Sequence, residues 1–226
     1  MLATERRWRR QLLRDPSVVL YLPLYELDGG AFKSADNYGH LCTVTGATWG
    51  IQGRDFVGTG YISLGNNAAF TPNSITIGFW CYARPTAGYP EIVSCSNDTD
   101  GAYKIYRTPT GTFACCLATD DNAWNCAAVY TAATTDNSWQ LVWMTYDKDG
   151  GANNLKLALN DSAAVNIATK TGNLKATGDN LTIGARDSTP DAPFDGIVEE
   201  VIIYNRALNP MERQHNYLAT KWRYRG

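Results

Sequence analysis

Apolar residues recur along the chain in short runs with a period of two, broken by clusters of glycine, proline, asparagine and aspartate. That alternation marks β-strands, whose successive side chains leave opposite faces. Strands are predicted over 18–24, 41–46, 56–64, 74–83, 91–96, 102–108 and 112–119. They continue over 124–132, 139–148, 154–160, 163–169, 181–185 and 196–205. The intervening "DGG", "TPTG", "DKDGG" and "DSTPDAP" favour tight reversals. Many short strands without interleaved helices predict an all-β, two-sheet antiparallel sandwich.

Two runs are apolar on both parities. In 74–83, Ile75, Ile77, Phe79 and Cys81 share one face, Trp80 and Tyr82 the other. In 139–148, Leu141 and Trp143 oppose Val142, Met144 and Tyr146. Such strands are covered on both sides, or lie on a sheet whose outer face is also partly shielded. A helical period appears only near the ends. Asn209, Pro210 and Glu212 supply the N-cap, first-position proline and capping-box acid of a C-terminal helix. Met211, His215, Leu218 and Trp222 share a stripe on it, and His215 is read as a packed, hydrogen-bonded residue. Residues 4–14 predict a short basic helix with Trp8 and Leu12 on one face, stopped by Asp15-Pro16. The chain thus divides into a basic arm or short helix over 1–15 and a sandwich with a terminal helix over 16–226.

Charge adds a segregation that the net value of −2 hides. Residues 1–14 hold five arginines against one glutamate, and residues 206–226 hold five basic residues against one acidic. The stretch between them has ten basic and twenty acidic residues. Two readings stand: the basic ends fold back onto the acidic body, or they dock an anionic partner surface. Arg6, Arg7, Arg9, Arg10, Arg14, Arg223 and Arg225 are the docking candidates. The acidic body makes nucleic acid a poor partner. No run of about 18 apolar residues marks a membrane span, and the charged N-terminus lacks the apolar stretch of a secretory signal.

The six cysteines show no metal-ligand spacing. Cys115 and Cys116, being neighbours in a strand, point to opposite faces. The cysteines are read as mostly reduced core residues.

The order of segments is itself informative. "VVLYLPLYELDGG…SADNYGH", "SITIGFWCYA", "DNSWQLVWMTYDKDGGANNLKLALND" and the closing "LTIGARDSTPDAPFDGIVEEVIIYNRALNPME" together resemble laminin-G-like, concanavalin A-like lectin domains over roughly residues 16–218. The resemblance implies a jelly-roll sandwich with its first and last strands adjacent, which brings both basic ends to one side. It also implies aspartate where this chain has Glu199.

The same fold class includes glucan hydrolases, whose chemistry needs two carboxylates about 5–5.5 Å apart for retention or about 6.5–9.5 Å for inversion. Within one strand that requires alternate residues. Glu199 and Glu200 are consecutive, so they are expected to leave opposite faces and to share no substrate. Glu200 is expected to be structural, pairing with Arg206 or backbone amides at the turn into the terminal helix. No Gly-x-Ser-x-Gly, phosphate-loop or His-Glu-x-x-His pattern occurs.

Lectin-like sites combine loop carboxylates and amides with an aromatic ring under the apolar sugar face. Asp120, Asp121, Asn122, Trp124 and Asn125 offer that mixture, and Tyr89 a second ring. Trp124 reads equally as a half-buried strand end. Calcium suits the oxygen-rich loops around Asp36, Asn37, Asp98 and Asp100, although these also read as ordinary turn formers. The resulting expectation is a non-catalytic, lectin-like adhesion or decoration module. Its implied setting is a virion surface, reached after synthesis in a host cytoplasm, with glycan-binding loops outward and basic ends on other virion proteins. A purely structural virion protein and a glycan hydrolase are the alternatives, and a homo-oligomer is left open.

Overall fold

The computed structural model describes residues 3–97, 100–121, 133–186 and 191–224, with only the backbone of residues 3–5, 166 and 167. Among these, fifteen strands form two antiparallel sheets. The first runs in the order β13 (Val165–Ala168), β12 (Leu155–Leu159), β11 (Trp139–Tyr146), β7 (Ile75–Ala83), β15 (Gly196–Tyr204), β5 (Gly53–Phe56) and β4 (Thr48–Gly50). Beside β5, on the same edge of β15, lies β1 (Val18–Pro23). The second sheet runs β10 (Phe113–Leu117), β9 (Gly101–Arg107), β8 (Glu91–Ser96), β14 (Thr182–Ile183), β6 (Tyr61–Ser63), β3 (Leu41–Thr45) and β2 (Ala31–Lys33). The pairing of β1 with β15 places the first and last strands together, as the resemblance implied.

Between the sheets lies the main core, with Ile75, Ile77, Phe79, Cys81, Val142, Met144 and Tyr146 among its residues. The opposite parity of β7 and β11 feeds a second core on the outer face of the first sheet. There Trp80, Leu141 and Trp143 meet Trp8 and Leu12 of α1 (Ala3–Leu12) and Ala219 of α2 (Pro210–Thr220). The terminal helices therefore supply the cover that two-sided apolar strands need. Each large side chain so buried contributes about 1.5–3 kcal/mol. Gly78 sits directly under the Trp143 ring, where a Cβ would stand 2.1 Å from it. A buried chain of polar bonds fixes the helices to the sheet. Trp8 Nε1 donates to Asn216 Oδ1 at 2.9 Å, and Asn216 Nδ2 donates to the Tyr204 hydroxyl at 2.9 Å.

The start of α2 is as its sequence demands. Asn209 accepts from the Glu212 N–H at 3.0 Å, and Glu212 accepts from the Asn209 N–H at 2.8 Å. The stripe facing the sheet differs from the expected one. Met211 is 79% exposed, Leu218 is 49% exposed and His215 is also exposed, while Arg213, Asn216, Ala219 and Thr220 are buried. Asn216 and Thr220 pack inward because Trp8, Tyr204 and the Trp80 indole N–H offer them partners.

Residues 56–64 also depart from expectation. Gly58-Thr59-Gly60 reverses the chain there, so β5 belongs to one sheet and β6 to the other. The strand predicted over 124–132 lies outside the described residues. Cys115 faces the main core and Cys116 the opposite side. Cys42, Cys81, Cys95 and Cys115 are buried free thiols, pushed up to about 12 by burial. These four fit the mostly reduced expectation, and Cys116, which is disulfide-bonded, is an exception to it.

Candidate functional site

The strand β15 carries a register shift between Val198 and Glu200 where it pairs with β7. Such a bulge breaks the two-residue alternation. Gly53 of β5 makes room for it, since a Cβ there would lie 2.4 Å from the Val198 carbonyl oxygen. Glu199 and Glu200 consequently converge on one guanidinium. Arg223 Nη1 donates to Glu199 Oε1 at 2.9 Å and to Glu200 Oε2 at 3.0 Å. The expectation that the two acids diverge is thus overturned, because it assumed a regular strand.

The pair is closed over. Both glutamates are 3% exposed. The Tyr224 hydroxyl donates to Glu199 and the Tyr21 hydroxyl to Glu200, the latter at 3.3 Å. Arg223 also donates to the Tyr25 hydroxyl at 3.2 Å and lies 4.7 Å from the centre of its ring. Burial, and then the charge of Glu200, push the Glu199 carboxyl up to about 8, against the pull of Arg223. Chemically, this arrangement fastens the 3₁₀ turn Lys221–Tyr224 onto the sheet.

Arg206 serves a different joint from the expected one. It pairs with Asp15 at 3.1 Å and Glu212 at 2.8 Å, and its Nε donates to the Ser17 hydroxyl at 2.9 Å. It links the end of α1 to the start of α2, while Glu200 pairs with Arg223. The reason is reach: Arg206 follows β15 at its C-terminal end, two residues beyond Tyr204 and well past the bulge between Val198 and Glu200.

The loop candidates separate into two groups. The pairings of Leu117 and Cys95 with Tyr103 place Asp120 and Asp121 at one end of the second sheet. The pairing of Glu91 with Tyr106 places Tyr89 at the other end. Tyr89 is 61% exposed, with its ring edge-on to Tyr106 at 6.2 Å. Asn122, Trp124 and Asn125 lie outside the described residues.

Around Asp120 the structure assembles residues that sequence spacing did not connect. Asp120 accepts from the Asn173 backbone N–H at 2.7 Å and from its amide at 2.9 Å. Gly172, at φ +87°, makes this approach available: a Cβ there would lie 2.1 Å from Asp120 Oδ1 and 2.8 Å from Asp121 Oδ2. Asp121 is exposed and has no hydrogen-bond partner among the described residues. Tyr146 donates to the Gly172 carbonyl at 2.7 Å, and its hydroxyl is pushed up to about 12 by burial and then by Asp120 and Asp121. Lys175 reaches Asp100 at 2.5 Å, which holds the Asp100 carboxyl below its usual range.

The acidic positions considered for calcium do not meet. Asp36 accepts from the backbone N–H groups of Tyr21, Tyr38 and Gly39, and Asn37 donates to the Leu13 carbonyl. Asp100 is taken by Lys175, and Asp98 lies outside the described residues. Among the described residues no three potential ligands cluster around a metal position. The basic ends divide as well. Arg6, Arg7 and Arg10 are exposed on α1 and Arg14 just after it, whereas Arg9 binds Glu26 at 2.7 Å and Arg223 is tied to Glu199 and Glu200. Arg225 lies outside the described residues.

Asn173, Lys175, Tyr25 and Tyr224 carried no motif in the sequence. Only the glycine at 172, within a polar stretch, hinted at a close approach.

Comparison with known proteins bears on the fold. No curated protein matches the chain. Among solved structures, Trypanosoma rangeli sialidase in complex with sialic acid superposes with a TM-score of 0.71 at 14% identity, covering 97% of this chain and 38% of that one. The binding domain of Paraclostridial Mosquitocidal Protein 1 gives 0.68 at 14% identity, covering 91% of this chain and 52% of that one. Domain 4 of AbnA, a GH43 extracellular arabinanase from Geobacillus stearothermophilus in complex with arabinotriose, gives 0.64 at 16% identity, covering 88% and 97%. The chain thus spans 38% of the sialidase and 52% of the mosquitocidal binding domain. Such low identities speak to fold alone. The sequence itself goes further: residues 56–212 match the family model described as the concanavalin A-like lectin/glucanases superfamily. With that match over most of its length and a two-sheet sandwich to go with it, the chain belongs to the concanavalin A-like lectin/glucanases superfamily.

Proposed function

We propose that the protein is a non-catalytic glycan-binding module whose ligand meets the loop end around Asp121. One observation carries this reading: an exposed carboxylate with no hydrogen-bond partner among the described residues, held beside Asp120 and Asn173 by the close approach at Gly172. Carboxylates so placed accept hydrogen bonds from sugar hydroxyls. The arabinotriose complex of the AbnA domain supports a saccharide ligand. The acid pair on β15 is proposed as a fastening, because its carboxylates are buried beneath Arg223 and Tyr224. The basic face of α1 is proposed to seat the module on an acidic virion surface, with the loop end outward.

Two experiments test this. On a glycan array the protein is expected to bind saccharides, and Asp121→Ala to weaken binding by about 1.5–3 kcal/mol, the worth of a charge-assisted hydrogen bond. An array without signal, or an Asp121→Ala variant that binds undiminished, sinks the site. For docking, Arg6, Arg7, Arg10 and Arg14 are changed to glutamate together, which leaves Trp8 and Leu12 in the core. Particle incorporation is expected to fall while glycan binding persists; unchanged incorporation removes the docking role.

A further inference from the structure

Arg213 is 6% exposed on the sheet-facing side of α2, and among the described residues no acceptor bonds its guanidinium. Burial alone acts on its ionisation, lowering it, with no opposing carboxylate. An unpaired buried cation is unfavourable unless something supplies the missing anion. Arg213 lines a cleft of about 490 Å³ between the β11–β12 hairpin and the start of α2. In the same lining, the Thr145 hydroxyl is buried and unpartnered. Lys156, the cross-strand neighbour of Thr145, adds a second cation with no ion pair among the described residues. Asp147 is the one carboxylate of the lining, and it accepts from the Asp149 N–H at 3.2 Å. Asn154 is already engaged, donating to the Asp147 and Lys170 carbonyls. The electropositive start of α2 faces the same space at Asn209 and Pro210.

We propose that this cleft binds the carboxylate of an acidic saccharide, with Arg213 gripping it, Lys156 adding charge and Thr145 completing the hydrogen bonds. Guanidinium and carboxylate match in shape as well as charge. The cleft is larger than a bare anion needs, and Ala163, Ala207 and Leu208 in its lining suit the apolar face of a sugar ring. The saccharide part rests on the glycan-binding reading above; the anion part rests on Arg213, Lys156 and Thr145 and is independent of it.

The test is calorimetric titration of the full chain with trigalacturonate, with its methyl ester and with sodium sulfate. Trigalacturonate is expected to bind, and the uncharged ester about tenfold or more weaker. Arg213→Gln is expected to lose at least as much, and Thr145→Val to weaken binding about three- to tenfold. Lys156→Gln and Thr145→Val carry the test if Arg213→Gln fails to fold. Equal binding of acid and ester, or variants that bind like the original, overturns the proposal. Binding of sulfate without trigalacturonate overturns the saccharide class. Loss of neutral-glycan binding in Asp121→Ala with trigalacturonate binding intact upholds both sites. Neutral binding with no trigalacturonate binding overturns this cleft and leaves the loop end standing.

Discussion

Two arginines of the terminal segments, Arg213 and Arg223, pack on the outer face of the same sheet, and they differ in company. Arg223 is held by two glutamates and the Tyr25 hydroxyl, so its charge is matched within the protein. Arg213 shares its cleft with alanines, a leucine, the unpartnered Thr145 hydroxyl and Asp147, and among the described residues no carboxylate pairs with it. The same side chain therefore fastens one part of the fold and leaves another part open to a ligand. Burial of a cation does not by itself say which role it has; the partners do.

The sharpest break between the two is thermodynamic. Arg223→Ala leaves the buried Glu199–Glu200 pair without its cation and is expected to cost about 3–5 kcal/mol. Arg213→Met removes a charge that nothing offsets and is expected to be neutral or stabilising in the absence of ligand. Urea unfolding of both variants checks this, and equal destabilisation would erase the contrast.

A second effect follows from the acid pair. The folded protein holds the Glu199 proton up to about 8, against an ordinary value of 4.5. The stability this group contributes is complete below the lower value, declines as pH rises through the window, and is gone above about 8. The slope in that window is at most about 1.4 kcal/mol per pH unit. Melting curves across the window should show the decline, and Glu199→Gln should flatten it. A decline that persists in the glutamine variant would place the proton elsewhere.

The smallest expected effect concerns the frame that holds both arginines. Asn209→Ala removes the cap of α2 and should cost about 1 kcal/mol. Because α2 roofs the Arg213 cleft but does not contain Arg223, the cap variant should weaken trigalacturonate binding more than it alters the pH dependence. Measuring the two on one preparation sharpens the comparison.

Much of this architecture could be read from local pattern. The both-parity strands 74–83 and 139–148 called for an outer cover, and the helices that carry Trp8 and Ala219 provide it. Asn209 and Glu212 announced their helix correctly because capping depends on neighbours three residues apart. The stripe of α2 was misread because Met211 and Leu218 are apolar but find no partner, while Asn216 finds two. Asp120 was legible as a loop acid; its partner Asn173 lies 53 residues away and left no trace in spacing.

Alternation, caps and turn residues fixed the sandwich, its two-sided first sheet and its terminal helices, since these follow from the period of the backbone and from contacts between near neighbours. The convergence of Glu199 and Glu200, the isolation of Arg213 and the meeting of Asp120 with Asn173 were decided only in three dimensions. A bulge shifts side chains from one face to the other, and pairing of charges depends on segments that the chain brings together from far apart.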